Sequence, residues 1–308
     1  MVREEVELRE LPPEEPNGSL VAGLVRTARP KQWTKNVLVF AAPGAAGVLT
    51  QATPLVRTLI AFACFCLAAS GTYFLNDAAD IDADRLHPKK CTRPVAAGIV
   101  SVGTARVAGV VLIIASIALS FTARWQLAVT VAAYVAVTTL YSSVLKHIAV
   151  FDIVAVAAGF VLRAIAGATA TGVPISDWFF IVASFGSLYM VTGKRHAERE
   201  QMGSDAHTTR ATLAEYTDSY LAYLRAVTSG TVLVGYCLWA FEKAHETQAS
   251  IPYYQLSILP FVLGLLRYAL LVDQGRGEAP EEIILSDRTL QLIGVLWVIV
   301  FGLGVHTT

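Results

Sequence analysis

Charge is what this chain has least of. Of its 308 residues, 16% are Asp, Glu, Lys or Arg, against about 25% in an ordinary soluble domain. The two signs cancel to a formal net charge of zero, and no nucleic-acid partner is expected. Cysteine is scarce too. Cys64, Cys66, Cys91 and Cys237 do not make a disulfide framework. Cys64 and Cys66 fall in an apolar run, where free cysteine behaves as a small hydrophobe. The first 20 residues lack an apolar stretch and carry six Glu. That argues against a cleavable signal peptide and for a disordered tail over 1–20. The remainder, 21–308, is expected to be a single domain.

What remains is apolar: 55% of residues are hydrophobic, and they fall in long runs. A spanning helix needs about 20 mostly apolar residues. Nine runs qualify, at roughly 36–53, 55–75, 103–122, 125–143, 150–171, 177–193, 218–241, 252–272 and 289–306. The first is broken by Pro43, Gly44 and Gly47. The expected fold class is an all-α, polytopic membrane protein of about nine transmembrane helices. Nine spans put the two ends on opposite sides. With the N-terminus in the cytoplasm, the polar segments around 76–102, 142–149, 194–217 and 273–288 face the cytoplasm as well. Of the 24 Lys and Arg, only Arg57, Arg124 and Lys243 then fall on the far side, with Arg163 inside a span. This is a strong positive-inside pattern. The expected location is the cell (inner or plasma) membrane, with several passes through the lipid bilayer. The two longest inner segments are the most charged, and they hint at two related four-helix halves plus a ninth helix.

The first of these segments opens Asn76-Asp77-Ala-Ala-Asp80-Ile-Asp82-Ala-Asp84. Carboxylates at a membrane edge are costly and need a reason. A hard divalent cation carrying a phosphorylated substrate supplies one, because Mg²⁺ binds through carboxylates plus phosphate. If the segment extends the second span as a helix, Asp77, Asp80 and Asp84 fall within about 60° on one face. Asn76 borders that face and Asp82 points away. Three carboxylates converging in this way repel one another without a cation. Asn76, Asp77, Asp80 and Asp84 are therefore the expected ligands of Mg²⁺, with Mn²⁺ as the alternative metal. The competing reading is a solvated acidic helix end.

Basic residues follow at once. Lys90 and Arg93 beside a metal-binding face can hold phosphate oxygens that the metal leaves free. The second charged segment reads Tyr189-Met-Val-Thr-Gly-Lys194-Arg195-His196-Ala-Glu198. Lys194 and Glu198 are an i, i+4 pair on one helical face. Lys194 is expected to contact substrate, and Glu198 to orient it or join the metal shell. His196 has no partner cluster and is not expected to be a ligand. Before the first span, Arg26–Asn36 reads as an interfacial helix with Trp33 at headgroup level. Lys31 and Lys35 share a face there, as a lipid anchor or a phosphate clamp. Tyr141-Ser-Ser-Val-Leu145-Lys146 ends the fourth span. Arg163 lies too deep in the fifth to reach water freely, and an intramembrane Arg is by default a functional candidate.

Together these residues resemble the UbiA-type intramembrane prenyltransferase superfamily. Its first motif, Asn-Asp-x-x-Asp-x-x-x-Asp, is met at Asn76, Asp77, Asp80 and Asp84. The Tyr141–Lys146 run and Arg93-Pro94 followed by Gly98 look like that family as well. The resemblance covers roughly 22–306 and implies a helical bundle with a cytoplasmic active-site cap. Typical members carry a second Asp-rich motif after the sixth span. Here that place reads Gly193-Lys194-Arg195-His196-Ala197-Glu198. This stretch, the opening Arg29–Asn36 and the late Pro280–Arg288 are instead similar to a phosphoribosyltransferase branch.

That branch implies transfer of 5-phosphoribose from 5-phosphoribosyl 1-diphosphate to decaprenyl or another polyprenyl phosphate. The product is a precursor of the arabinose donor for the cell wall. The resemblance implies that Asp77, Asp80 and Asp84, with Asn76, hold Mg²⁺ on the donor diphosphate. Lys194 and Arg195, beside Tyr189, suit the 5-phosphate or the lipid phosphate. Lys35, Tyr141, Lys146 and Arg163 are candidate phosphate anchors. The alternative within the fold is transfer of a prenyl group from its diphosphate to an aromatic acceptor. A transporter would place a coupling-ion site near the midplane, not at the interface. The apolar faces also allow a homo-oligomer, with no motif that sets a number.

Overall fold

The computed structural model describes residues 18–202, 211–247, 250–276 and 280–306. Of the tail expected over 1–20, residues 1–17 lie outside this set. Among the described residues every regular element is helical. In chain order these are α1 (Leu20–Ala28), a 3₁₀ helix (Pro30–Phe40), α2 (Ala41–Ala45), α3 (Ala52–Ala79), α4 (Ile81–Leu86), α5 (Val102–Ala123), α6 (Trp125–Ser143) and α7 (Phe151–Thr171). Then come α8 (Asp177–Met202), α9 (Ala211–Glu215), α10 (Asp218–Thr247), α11 (Tyr253–Leu256), α12 (Ile258–Leu271), α13 (Pro280–Ser286) and α14 (Arg288–His306).

Among the described residues, seven segments are long and apolar enough to cross a membrane: α3, α5, α6, α7, α10, Tyr253–Arg276 and α14. With 26 residues, α8 is long enough as well, about 39 Å at 1.5 Å per residue, but its last two turns are polar. The run at 36–53 departs from expectation. It is not one spanning helix but a 3₁₀ helix, the short α2 and a 3₁₀ turn at Val48–Thr50. Gly47 precedes that turn at φ 70°, and Pro43 has no N–H to continue a helical ladder. The nine-span count is therefore not reached by length and apolarity.

The core forms where α3, α6 and α7 meet the first 3₁₀ helix, around Val39, Phe65, Leu127, Val131, Tyr134 and Ala166. Small residues let backbones touch, as helices packing in lipid require. A Cβ on Gly71 would sit 2.8 Å from the Gly109 carbonyl oxygen, so α3 and α5 press together there. On α7, a Cβ on Gly167 would lie 1.9 Å from the Val39 carbonyl oxygen. That contact lays the 3₁₀ helix directly on α7 and brings Asn36 to Arg163.

The outer faces are apolar and open. Val107, Val111, Ile114 and Phe121 on α5, and Leu292, Val295, Val298 and Ile299 on α14, are all exposed. Such faces are unfavourable in water and suited to hydrocarbon. The chain is a multi-pass membrane protein.

Candidate active site

The acidic motif sits where a helix ends. α3 stops at Ala79, and Asp80 takes φ −93°, ψ 12° before α4 begins. The expected continuous helical face is thus bent at Asp80. Hydrogen bonds still cross the bend, from the Asp80 amide to Asn76 O and from the Asp84 amide to Asp80 O. The bend separates the three carboxylates. Asp77 and Asp84 stay buried and meet on one nitrogen, Arg93 Nη1, at 3.2 and 2.7 Å. Arg29 Nη2 adds a second cation, 2.5 Å from Asp77 Oδ1. Asp80 turns outward, 46% exposed, and lies 3.6 Å from Lys146 Nζ. The physics is direct. Asp77 lies in the last turn of α3, where the helix dipole is negative, and needs cations. Asp84 lies in the first turn of α4, where the dipole helps it.

Arg93, expected to hold phosphate beside the carboxylates, bridges the two of them. Arg29 was not singled out from sequence. Its signal was Pro30, which disfavours a helical residue before it. Arg29 leaves α1 at φ 53°, and its guanidinium stacks 4.7 Å from the Tyr73 ring centroid. Lys90 is half-buried in the turn just before Arg93.

A second polar group is built from α7, α8 and the α6 end, and Lys146, just past that end, reaches Asp80. Arg195 and Asp152 form a buried ion pair, 2% and 0% exposed, with Nε 2.9 Å from Oδ2. Arg195 Nη1 also donates to Glu198 Oε2 at 2.7 Å. Lys194, 38% exposed, makes the expected i, i+4 pair with Glu198 at 3.8 Å. Tyr141 is within electrostatic range of Arg195. Tyr216, between α9 and α10, donates its hydroxyl to Asp152 Oδ1. Asp152 and Tyr216 were not among the expected site residues. Burial and the Asp152 carboxylate push the Tyr216 hydroxyl far above its ordinary value, so it is a standing donor.

Several expected residues have other partners. Arg163 is enclosed in the core: Nε donates to Asn36 Oδ1 at 2.8 Å, Nη1 to Gly159 O at 2.8 Å and Nη2 to Tyr134 Oη at 2.9 Å. Among the described residues no carboxylate pairs with it; the rings of Tyr134, Phe160 and Phe65 surround it instead. It ties the 3₁₀ helix to α6 and α7. Arg163→Met is expected to lower stability by about 2–4 kcal/mol, because buried partners lose their donor, while donor KM stays unchanged in the folded fraction. Thermal melts beside kinetics check this; a raised KM with unchanged stability would restore a phosphate-anchoring role. Tyr189 is buried in a cluster with Tyr268, Leu271 and Ile283. Lys31 is exposed and Lys35 half-buried. They do not share a face, because a 3₁₀ helix turns about 120° per residue. Trp33, expected among headgroups, instead donates to Ser70 Oγ at 3.1 Å, and Ser70 donates to Ala28 O.

For a divalent metal, the donor chemistry fits. Among the described residues no three His, Cys, Asp or Glu side chains group closely enough to hold an ion by themselves. Asp77 and Asp84 do converge, and Mg²⁺ is commonly held by one or two carboxylates with substrate phosphates and water. Of the expected set of four, these two converge, Asn76 is half-buried beside them and Asp80 turns outward.

An all-helical membrane bundle with an acidic pair at a helix end and basic groups facing it defines a class of intramembrane transferase. The chain belongs to the UbiA prenyltransferase family, whose model matches residues 37–293. It is 43% identical over 300 residues to the decaprenyl-phosphate phosphoribosyltransferase of Corynebacterium glutamicum, covering 95% of this chain and 89% of that protein. It is 41% identical to the enzyme of that name from Mycobacterium tuberculosis, over 94% of this chain and 97% of that one. The fold is similar to that of a UbiA homologue from Archaeoglobus fulgidus bound to GPP and Mg²⁺, with TM-score 0.69 and 18% identity, covering 93% of this chain and all of that one. A digeranylgeranylglyceryl phosphate synthase has a TM-score of 0.64 at 16% identity, over 93% of this chain and 98% of that one.

Proposed function

We propose that this protein transfers 5-phosphoribose from 5-phosphoribosyl 1-diphosphate to decaprenyl or another polyprenyl phosphate, releasing diphosphate. The observation that most supports the reading is identity of 40% or more, along nearly the whole chain, to phosphoribosyltransferases of that name. Lys194 and Arg195, standing where a second acidic motif would be, support it further, since a small polyanionic donor needs cations where such a motif would repel it. The active site faces the cytoplasm on this reading, and the product serves cell-wall arabinan synthesis.

Asp77 and Asp84, with Asn76, would hold Mg²⁺, whose charge offsets that building on the departing diphosphate. The bond from the ribose anomeric carbon to diphosphate breaks as a lipid-phosphate oxygen bonds to the opposite face, inverting that centre. The nucleophile is already anionic, so no strong general base is required. The protein's work is placement and charge stabilisation. Lys146 and Lys194 carry ammonium groups to the two sides of the edge, and the polyprenyl tail lies along apolar helix faces.

Purified protein given labelled donor, decaprenyl phosphate and Mg²⁺ is expected to move label into the lipid phase, and to stop in EDTA. Consumption of a prenyl diphosphate with an aromatic acceptor, and no transfer of ribose label, would refute the proposal.

A further inference from the structure

The proposed reaction needs Lys146 and the Lys194–Glu198 group at fixed places, and the segment between α6 and α7 links them. That segment ends in strain. Val150 has φ 71° and ψ −48°, a region that β-branched residues avoid. Such a residue persists only where its surroundings hold it. The Val150 carbonyl caps the start of α7, accepting from the Ile153 and Val154 amides, and its amide is held by one distant hydroxyl. The Val150 amide donates to Tyr216 Oη at 2.6 Å, and the same hydroxyl donates to Asp152 Oδ1. Asp152 in turn accepts from Arg195. Thr212, on α9, donates to the Lys146 carbonyl at 3.5 Å, so the 212–216 stretch touches the segment at two points.

Tyr216 is itself firmly seated. Its ring stacks on Tyr220 with centroids 5.9 Å apart and packs with Ile153, Val191 and Leu221. Its carbonyl accepts from Arg199 Nη1. Nothing in this packing needs the hydroxyl. The hydroxyl is spent on Val150 and Asp152.

We infer that Tyr216 is a positioning residue for the transfer reaction: its hydroxyl holds Val150 in the strained turn, which sets Lys146 against Asp80. The inference rests on the proposed function. Tyr216 touches no reacting atom and acts through Lys146. Its raised pKa keeps the hydroxyl protonated through the neutral range, so the lock does not open with pH there.

The test uses the full chain in detergent, with labelled 5-phosphoribosyl 1-diphosphate and decaprenyl phosphate. Four proteins are compared: wild type, Tyr216→Phe, Val150→Gly and the double variant. Folded fraction is read by size-exclusion chromatography and thermal melting. Tyr216→Phe keeps the ring and is expected to lose about tenfold in kcat/KM per folded molecule, the scale of a lost hydrogen bond to a charged group. Glycine holds positive φ without help, and the Val150 side chain is 45% exposed, with little packing to lose. Val150→Gly alone therefore keeps the wild-type rate, and the double variant recovers most of the loss. A purely structural role would lower the melting temperature, leave kcat/KM per folded molecule unchanged and show no rescue at residue 150. Full activity in Tyr216→Phe overturns the inference, as does a loss that glycine at 150 leaves in place. If Tyr216→Phe does not fold, a double variant that folds and turns over supports it, and one that folds without activity overturns it. Wild-type protein that moves no label overturns the proposed function instead.

Discussion

Asp84→Asn is expected to lower phosphoribosyl transfer by about 10³-fold, on the scale of removing one fixed electrostatic partner from an active site. The side chain is buried, and its Oδ2 lies 2.7 Å from Arg93 Nη1. Asparagine keeps the shape and removes the charge. Arg93 retains Asp77, so the fold survives while the edge loses one of its two converging carboxylates. Asp82, two residues earlier and exposed, is the control, and Asp82→Asn should stay within about twofold, as exposed substitutions away from partners do. Initial rates across a Mg²⁺ titration separate the cases. A fall that extra Mg²⁺ partly restores marks a metal ligand. Equal rates for the Asp82 and Asp84 variants would remove Asp84 from the site.

Arg195→Met should cost about 3–5 kcal/mol of stability. Removing one member of a buried pair strands the other, and that penalty exceeds what the pair itself contributes. Asp152 would be left fully buried, with the Tyr216 hydroxyl as one remaining donor. Neutralising both members, in Arg195→Met with Asp152→Asn, should recover part of the loss, because no bare charge is then enclosed. Thermal unfolding in detergent gives the three values. A single variant as stable as wild type would show that water reaches the pair.

Much of this was readable in the sequence. Runs of apolar residues located eight long helices, because hydrocarbon demands length and composition together. The one failure, 36–53, came from Pro43 and Gly47, which break a helix without lowering hydrophobicity. The spacing of Asp77 and Asp84 placed them together correctly. Asp80 was misplaced, because periodicity assumes a straight helix and a cluster of like charges at a negative helix end favours a bend. Arg29 and Tyr216 were invisible for another reason. Their partners are 48 and 64 residues away, and nothing local in a sequence records which distant segments will meet. Arg163 shows another limit: a charge inside a span invites a functional reading, and the sequence gives no sign of the three hydrogen bonds and the rings that hold it.

The two guanidiniums on Asp77 also flank it in time. Arg29 leaves the ribosome 48 residues before Asp77, and Arg93 follows Asp84 by nine. At about 5–20 residues per second, the first counter-charge is waiting for seconds before the first carboxylate emerges. The second arrives almost as soon as Asp84 is made. Asp77, at the trailing end of α3, thus has one of its two counter-charges already synthesised when it emerges, and the other follows 16 residues later.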